Sequence, residues 1–331
     1  MPEQITVRAL SAISEKVFPG CVIGIVRTNG QREVLPFGRF TYEKDSSEVS
    51  ADTIYDLASV TKSIPVASLA AMFISEGKLR LDDTVKKYIP ELQNDFNTTI
   101  EDLLCYRVRG PRMSGLNYKT FEQVRTHIFE KGFDAPPGNS EYTNLPAFLL
   151  GIILERVGGE ILPALAHKYF FGPLAMHETT FFPHDVSRVA PTEVVDSEEI
   201  RGIVHDESAR IFAIKRRAVG HAGLFSTVPD LLNFVEALLQ NKFLSVVDAA
   251  EQGLGWQLNQ PWSMGNCTAK TFGKTGFTGT SVVVDREKQV GFVILSNRTY
   301  PQRPSDAGSI RSAINRFRAD VAGIVLGSFP G

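Results

Sequence analysis

The chain has 331 residues, of which 43% are hydrophobic and 22% charged, an ordinary composition for a globular protein with a large core. Its 35 basic and 37 acidic residues give a net charge of −2, so no global field attracts nucleic acid or an anionic membrane surface. No stretch reaches the roughly 18 to 20 apolar residues of a membrane span.

The start of the chain, MPEQITVRALSAISEKVF, has scattered charges and no continuous apolar stretch of the secretory type. Its apolar residues recur at helical spacing and predict an amphipathic first helix. The three cysteines are widely spaced and form no CxxC pair, which predicts reduced thiols. Together these features predict a cytoplasmic protein.

Strands are predicted at both ends of the chain and helices between them. Residues 21–42 predict a β-hairpin with its turn at TNG, and residues 280–299 predict another around DREKQ. Apolar segments at residues 64–79, 144–160 and 227–242 predict helices, the first ending at Gly77.

This order of elements predicts an α+β fold in a single domain over residues 1–331, with an antiparallel sheet formed by both chain ends. The sheet lobe would comprise approximately residues 1–75 and 210–331, with a mostly helical lobe of approximately residues 76–209 inserted between them. A cleft between the two lobes is where a small-molecule site would lie.

Two Ser-x-x-Lys pairs place a serine and a lysine one helical turn apart: Ser59 with Lys62, and Ser75 with Lys78. Ser75 lies just before Gly77, at a predicted helix end whose partial negative charge opposes an oxyanion. Ser59 lies at a predicted helix start, where free N–H groups favour negative charge on an attacking oxygen. The same place also suits an N-cap serine, so Ser59 needs partners to be a nucleophile.

Two later motifs supply such partners, because a serine nucleophile needs a base and an oxyanion hole. Tyr142 and Asn144 form a Y-x-N before a predicted helix. Lys274, Thr275 and Gly276 form a K-T-G immediately before a predicted strand. Each tripeptide alone is weak evidence, but the ordered set S-x-x-K, Y-x-N, K-T-G is far more specific.

In this order the motifs resemble those of the serine β-lactamase and penicillin-binding protein superfamily. The Y-x-N, in place of S-D-N, is similar to class C β-lactamases, related DD-peptidases and family VIII carboxylesterases. Residues 77–92, 219–234 and 290–301 also resemble recurrent segments of that group. The resemblance implies a β-lactamase/transpeptidase-like fold.

The resemblance also implies catalytic roles. Ser59 would form the acyl-enzyme, and Lys62 would stabilise or accept the serine proton. Tyr142 would be the general base, its phenolate favoured by the charges of Lys62 and Lys274. The oxyanion hole would consist of the backbone N–H groups of Ser59 and Phe277.

Substrate binding is implied for four further positions: Asn144, Lys274, Thr275 and Gly276. Asn144 would bond Lys62 and the substrate amide, and the K-T-G motif would meet a substrate carboxylate. Gln302 and Arg303, in a segment loosely similar to one that helps hold the β-lactam carboxylate, are further candidates for that contact. No histidine pair has metal-ligand spacing and no phosphate-binding glycine loop is present, so we expect neither metal nor cofactor.

Some features depart from the pattern. Pro65 lies inside the predicted nucleophile helix, where proline kinks a helix, which puts the orientation of Lys62 in question. Phe277 is bulkier than the small residue that class C enzymes often carry. Where relatives have a segment similar to LLTHTSGL, this chain has three arginines: Arg107, Arg109 and Arg112. We expect them either to form a solvated loop or to select an acidic substrate.

The sequence therefore predicts a serine hydrolase acylated on Ser59, with an ester, a β-lactam or a D-amino-acid peptide as its small-molecule substrate. A carboxylesterase-like enzyme with weak β-lactam hydrolysis is favoured, because the start of the chain predicts a cytoplasmic protein and residues 105–115 depart from the family pattern. The intact K-T-G favours the alternatives, a class C-type β-lactamase or a D-amino-acid peptidase. A non-catalytic penicillin-binding sensor or scaffold is the alternative from another class, and the oligomeric state is left open.

Overall fold

A computed structural model of the chain describes residues 1–114, 118 and 120–328. Its strands, in chain order, are β1 (Gly20–Arg27), β2 (Arg32–Gly38), β3 (Tyr55–Asp56), β4 (Glu193–Val195), β5 (Glu198–Ile200), β6 (Phe225–Ser226), β7 (Gln257–Leu258), β8 (Phe272–Thr275), β9 (Ser281–Asp285) and β10 (Val290–Ser296). Six of them form an antiparallel sheet in the order β2-β1-β10-β9-β8-β7, so both chain ends meet at the β1–β10 pair. The predicted α+β fold and both predicted hairpins are confirmed.

The α-helices are α1 (Pro2–Ser14), α2 (Ser68–Ser75), α3 (Val85–Tyr88), α4 (Ile100–Leu104), α5 (Phe121–Lys131), α6 (Leu145–Gly158), α7 (Leu162–Ala166), α8 (Glu207–Ala213), α9 (Val228–Leu239), α10 (Leu244–Ala250), α11 (Pro261–Met264) and α12 (Ala313–Gly327). Short 3₁₀ turns span Ala58–Lys62 and Val186–Arg188, and π turns span Ser63–Ala67 and His167–Phe171. All three predicted core helices are present, the first of them much shortened.

Side chains alternate between the two faces of the sheet, so each face buries its own apolar set. One face packs against α1 and α12, where Phe18 meets Phe317 edge to face with ring centres 4.9 Å apart. The other face packs against α9 and continues into the core of the helical region. At Gly24 the helix approaches so closely that a Cβ would lie 2.2 Å from Val228. The sheet is therefore held rigidly from both sides.

The segment that carries Ser59 is not one helix, contrary to the expectation from its apolar run. Ile64, immediately before Pro65, has non-helical backbone angles (φ −113°, ψ 108°) and separates the 3₁₀ turn from α2. This is where a proline disfavours helix in the preceding residue. The stretch Ala58–Ser75 is apolar and long enough to cross a membrane by composition, but 78% of it is buried inside the protein, as expected of a core segment.

Candidate active site

Lys62 lies directly beside Ser59 despite the helix break. Lys62 is 1% exposed, and its Nζ donates hydrogen bonds to Ser59 Oγ at 2.9 Å and to the carbonyl oxygen of His221 at 2.6 Å. The break falls after Lys62, so the 3₁₀ turn keeps both side chains on one side. The doubt raised by Pro65 is thereby resolved: the proline alters the path of the chain beyond the pair.

Asp56 fixes the backbone just before Ser59. One of its carboxylate oxygens accepts a hydrogen bond from the Ala58 N–H and the other from the His205 N–H, both at 2.7 Å. Burial raises the pKa of Asp56 to about 6, partly offset by these two bonds. Ala58 itself has a φ of +47°, a left-handed conformation that an L-residue keeps only when its surroundings enforce it. The hydrogen bond from the Ala58 N–H to Asp56 holds Ala58 in this conformation.

The second Ser-x-x-Lys pair has no such environment. Ser75 is exposed, and its hydroxyl donates to the Met72 carbonyl within its own helix. Lys78 bonds Glu76 at 2.6 Å and the Tyr169 hydroxyl at 3.1 Å. This pair is a solvated helix end.

Lys274, at the end of the sheet, is the second lysine of the candidate site. It is 2% exposed on β8, and burial together with the charge of Lys62 holds its pKa well below the usual 10.5. Beyond it, Thr278 donates to the Asp56 carbonyl at 2.7 Å and Thr280 to the Leu57 carbonyl at 3.0 Å. These bonds fix the K-T-G turn against the Ser59 segment.

Two tyrosines contact the lysines, and the sequence identified one of them. Tyr142 is 55% exposed, and its ring centre lies 5.4 Å from Lys62 Nζ and 5.0 Å from Lys274 Nζ. Tyr106 receives a 3.0 Å hydrogen bond from Lys274 on its hydroxyl, and its ring centre lies 5.2 Å from that of Tyr142. Burial raises the pKa of Tyr106 well above 10. Tyr106 lies in the segment that departs from the family pattern, so no motif pointed to it.

Asn144 has a different partner from the one expected. Its Nδ2 donates to Asp206 at 3.1 Å, and within the described residues no hydrogen bond joins it to Lys62. Asp206 also accepts from Ser208 Oγ at 2.6 Å and lies 3.6 Å from His221 Nε2. Burial alone would raise the pKa of Asp206, but His221, Ser208 and the charge of Lys62 outweigh it and hold this pKa well below its usual range.

Ser59 opens into a cavity of about 330 Å³ that the K-T-G strand also borders. The cavity is lined in part by Tyr142, Thr275, Gly276 and Phe277. The Thr275 N–H is bonded to Gln257 Oε1 at 3.0 Å, whereas no described residue accepts a hydrogen bond from the Phe277 N–H. That N–H group is therefore free to serve the predicted oxyanion hole, and the Phe277 ring, 36% exposed, narrows the cavity.

Two arginines missed by the sequence analysis line the same cavity. Arg298 donates from Nε to the Phe277 carbonyl at 2.7 Å, and Arg318 donates to the Gly276 carbonyl at 2.7 Å. Neither guanidinium forms an ion pair with a carboxylate of the described residues. The cavity is therefore lined by Ser59 and by two guanidinium groups that form no ion pair within the described residues. Arg298 lies in the segment that suggested Gln302 and Arg303, so that segment could have pointed to it, whereas Arg318 lies outside every motif and reaches the cavity only through the fold.

The weaker candidates for carboxylate binding lie elsewhere or are already paired. Arg303 bonds Glu193 at 2.8 Å and Glu207 at 2.6 Å, so its charge is neutralised within the protein. Gln302 is exposed and does not line the Ser59 cavity. These findings correct the expectation for both residues.

The arginine-rich segment is likewise paired at its surface. Arg107 bonds Glu101 at 3.0 Å, and Arg109 bonds Glu141 at 3.0 Å. Arg112 is 80% exposed at its side chain, lies 3.7 Å from Glu141, and borders a separate cavity of about 260 Å³ that Tyr142 and Asn144 also line. Among the described residues, no cluster of potential ligands could hold a metal ion.

The chain is similar in sequence to curated bacterial proteins. A "Putative D-alanyl-D-alanine carboxypeptidase" of Escherichia coli (strain K12) is 29% identical over 76% of this chain and 71% of its own, and one of Salmonella typhi is 28% identical with the same coverage.

Solved structures share the fold. A "Beta-Lactamase/D-Alanine Carboxypeptidase from Pseudomonas syringae" covers 99% of both chains with a TM-score of 0.79 at 20% identity. "EstCE1, a hydrolase with promiscuous acyltransferase activity" covers 96% of this chain and 98% of its own with a TM-score of 0.74 at 21% identity.

A model of the Beta-lactamase family matches residues 6–314, nearly the whole chain. The match includes the Ser59–Lys62 pair, the Y-x-N and the K-T-G, and four residues of these motifs line one cavity: Ser59, Tyr142, Thr275 and Gly276. The resemblance seen in the sequence is confirmed: the chain belongs to the Beta-lactamase family and is a serine hydrolase.

Proposed function

We propose that the protein hydrolyses small acyl compounds carrying a carboxylate near the scissile bond, through an acyl-enzyme on Ser59. Peptides and depsipeptides ending in a D-amino or hydroxy acid are the substrate class proposed first. One observation carries this choice: Arg298 borders the cavity at Ser59, and its guanidinium forms no ion pair with a carboxylate of the described residues. A substrate carboxylate would supply the missing charge.

The chemistry would begin at the hydrogen bond between Ser59 Oγ and Lys62 Nζ. The serine oxygen attacks the acyl carbon while its proton passes to the group formed by Lys62 and Tyr142, and the carbonyl oxygen takes up negative charge between the Ser59 and Phe277 N–H groups. The leaving group takes the proton as the acyl bond breaks. Water then attacks the acyl-enzyme and releases the acid.

The named relatives support the same choice of substrate. Those from Escherichia coli and Salmonella are called putative D-alanyl-D-alanine carboxypeptidases, whose name describes a substrate ending in a free carboxylate. Their identity of 28–29% carries this only as a proposal for the present chain. A β-lactam also presents a carboxylate beside its acyl carbon and would enter by the same route.

A second candidate, hydrolysis of uncharged small esters, is favoured by the apolar part of the cavity. Phe277, Trp262 and Ile310 line it, and Ile310 is 63% exposed at its mouth. Such side chains would bind an alkyl or aryl group without needing a charge. This is the carboxylesterase-like function that the sequence favours.

A matched pair of esters separates the two candidates: 3-carboxyphenyl phenylacetate and phenyl phenylacetate, which differ only in the carboxylate. We expect a preference of about 10- to 100-fold in kcat/KM for the charged ester, because a hydrogen bond to a charged group contributes roughly 1.5–3 kcal/mol. Arg298→Gln should remove most of that preference. Equal rates for both esters would favour the uncharged-ester function, and N-acyl-D-Ala-D-Ala tests peptide cleavage directly.

A further inference from the structure

Arg318 is a buried cation whose hydrogen-bond partners are two main-chain carbonyls and one side-chain amide. It lies on α12, is 3% exposed, and donates from one terminal nitrogen to the carbonyl oxygens of Gly276 and Thr280 at 2.7 and 2.8 Å. The other terminal nitrogen donates to Asn315 Oδ1 at 2.7 Å. Burying a charge without a counter-charge costs free energy, so packing alone does not explain an arginine at this position.

The Gly276 carbonyl belongs to the same peptide group as the Phe277 N–H. A donor bound to the oxygen of a peptide draws electron density away from its nitrogen, so the N–H at the other end becomes a stronger hydrogen-bond donor. The donor here carries a full positive charge, which increases the effect. The Phe277 N–H has no acceptor among the described residues, and Phe277 lines the Ser59 cavity.

The remaining contacts of this peptide fix its position. The Gly276 N–H donates to the Thr280 carbonyl at 2.7 Å, and Arg318 binds that same carbonyl, so one guanidinium holds both sides of the turn. Arg298 donates to the carbonyl of the next residue, Phe277, at 2.7 Å. The orientation of the Phe277 N–H is thus set by two guanidinium groups.

We propose that Arg318 is a positioning residue of the oxyanion hole, which orients and polarises the Gly276–Phe277 peptide so that its N–H stabilises the negative oxygen of the reacting acyl group. This inference rests on the proposed function, since it requires acylation at Ser59. It assigns Arg318 an effect on the transition state, transmitted through one peptide group, without contact with the substrate.

The test compares 4-nitrophenyl acetate with O-(4-nitrophenyl) thionoacetate, both of which release 4-nitrophenolate. Sulfur accepts hydrogen bonds poorly, so an oxyanion hole favours the oxygen ester. For Arg318→Met we expect kcat/KM for the oxygen ester to fall by about 10- to 100-fold. Loss of a whole oxyanion donor lowers the rate by about 10²–10³-fold, so weakening one donor should cost no more than that. The oxygen-over-thiono preference should fall by a similar factor. Arg316→Met, at an exposed position of the same helix, is the matched control and should leave both unchanged.

Two further variants keep the test decisive if Arg318→Met folds poorly. Arg318→Lys retains one donor and should give an intermediate preference, and added guanidinium should restore activity to Arg318→Ala in proportion to its concentration. An unchanged oxygen-over-thiono preference in variants that have lost activity would show a purely structural role and overturn the inference alone. Failure of the wild-type protein to be acylated on Ser59 by either ester would overturn the proposed function and this inference with it.

Discussion

Tyr106 and Tyr142 face each other beside the two active-site lysines, and their hydroxyl groups have different surroundings. Lys274 bonds the Tyr106 hydroxyl, whereas Tyr142 presents its ring to both lysines and lies open to the cavity. An exposed hydroxyl can reach a substrate and exchange its proton. A hydroxyl that is held by a hydrogen bond and has a raised pKa serves better as a fixed partner of the lysine.

We therefore expect Tyr142→Phe to lower kcat/KM by about 10²–10⁴-fold, the usual contribution of general acid–base catalysis. Tyr106→Phe should lower it by about 5- to 100-fold, because Lys274 loses its hydrogen-bond partner. Steady-state kinetics on one ester measures both, with Tyr169→Phe, at the Ser75 helix end, as control. The reverse order of the two losses would assign the base to Tyr106.

Asp206 predicts a pH dependence of stability. Its folded pKa is lowered, so its contribution is complete above the unfolded value of about 3.9 and is lost as pH falls toward the folded pKa. Asp206→Asn should lower the free energy of unfolding by about 1–3 kcal/mol at pH 7, because Asn144 and Ser208 lose a charged acceptor. The difference from wild type should shrink at pH 3.

Urea unfolding at both pH values measures this difference. Asp248→Asn, at an exposed position, is the control and should leave stability within about 0.5 kcal/mol. A difference between wild type and Asp206→Asn that stays constant from pH 7 to pH 3 would contradict the lowered pKa.

At the level of single residues, the sequence identified groups that stand in ordered motifs. Ser59, Lys62 and Lys274 were predicted from such motifs. In the structure Lys62 bonds Ser59, and both lysines lie beside the Tyr142 ring. Tyr106, Asp206 and Arg318 act through contacts between segments far apart in the chain, which no local pattern encodes. Arg303 fits a family segment by position. Its charge, however, is paired with Glu193 and Glu207, which belong to a distant part of the chain.

At the level of elements, the β8–β9 turn and the Ser59 segment are fitted together at Gly276. A Cβ on Gly276 would lie 2.4 Å from the Leu57 carbonyl and 2.1 Å from Thr280 Oγ1, far inside normal contact. Since the Leu57 carbonyl is backbone, an added methyl group must separate the two segments. The Phe277 N–H would then move away from Ser59.

Gly276→Ala should therefore lower kcat/KM by about 100-fold or more, comparable to losing an oxyanion donor. Gly323→Ala is the matched control: it lies in α12 with open space around it, and alanine there should raise stability by about 0.5–1 kcal/mol without changing activity. Ester kinetics and urea unfolding of both variants check the pair. Wild-type kinetics in Gly276→Ala would show that this close fit is dispensable.

The elements themselves were predictable where periodicity was strong and where turn residues stood between apolar runs. Both hairpins follow from their alternating residues. The helix predicted at residues 144–160 is present as α6, which ends at Gly158 just before Gly159 with its φ of +72°. The nucleophile segment was mispredicted as one helix because its apolar residues satisfy the helical period. Pro65 predicted a kink, but only the packing around Asp56 and Lys62 determines that a 3₁₀ turn precedes it.

For the whole molecule, the joining of both chain ends in one sheet explains how distant motifs meet. The β1–β10 pair joins the two chain ends, and β8 places Lys274 at the end of the sheet. Helix α12 packs on one face of the sheet, and its Arg318 contacts the K-T-G turn at Gly276. The sequence predicted this plan from the positions of strands and helices. It could not predict the charge inside the cavity, because that depends on which arginines of the C-terminal part turn inward.

The central claim is that Ser59 is the nucleophile, and the mass of the intact protein tests it most directly. The wild-type protein, mixed with 3-carboxyphenyl phenylacetate and quenched in acid, should gain one phenylacetyl group, which peptide mapping locates on Ser59. Ser75→Ala should be acylated at the wild-type rate and Ser59→Ala not at all. Acylation that persists in Ser59→Ala, or that maps to another residue, would contradict the account.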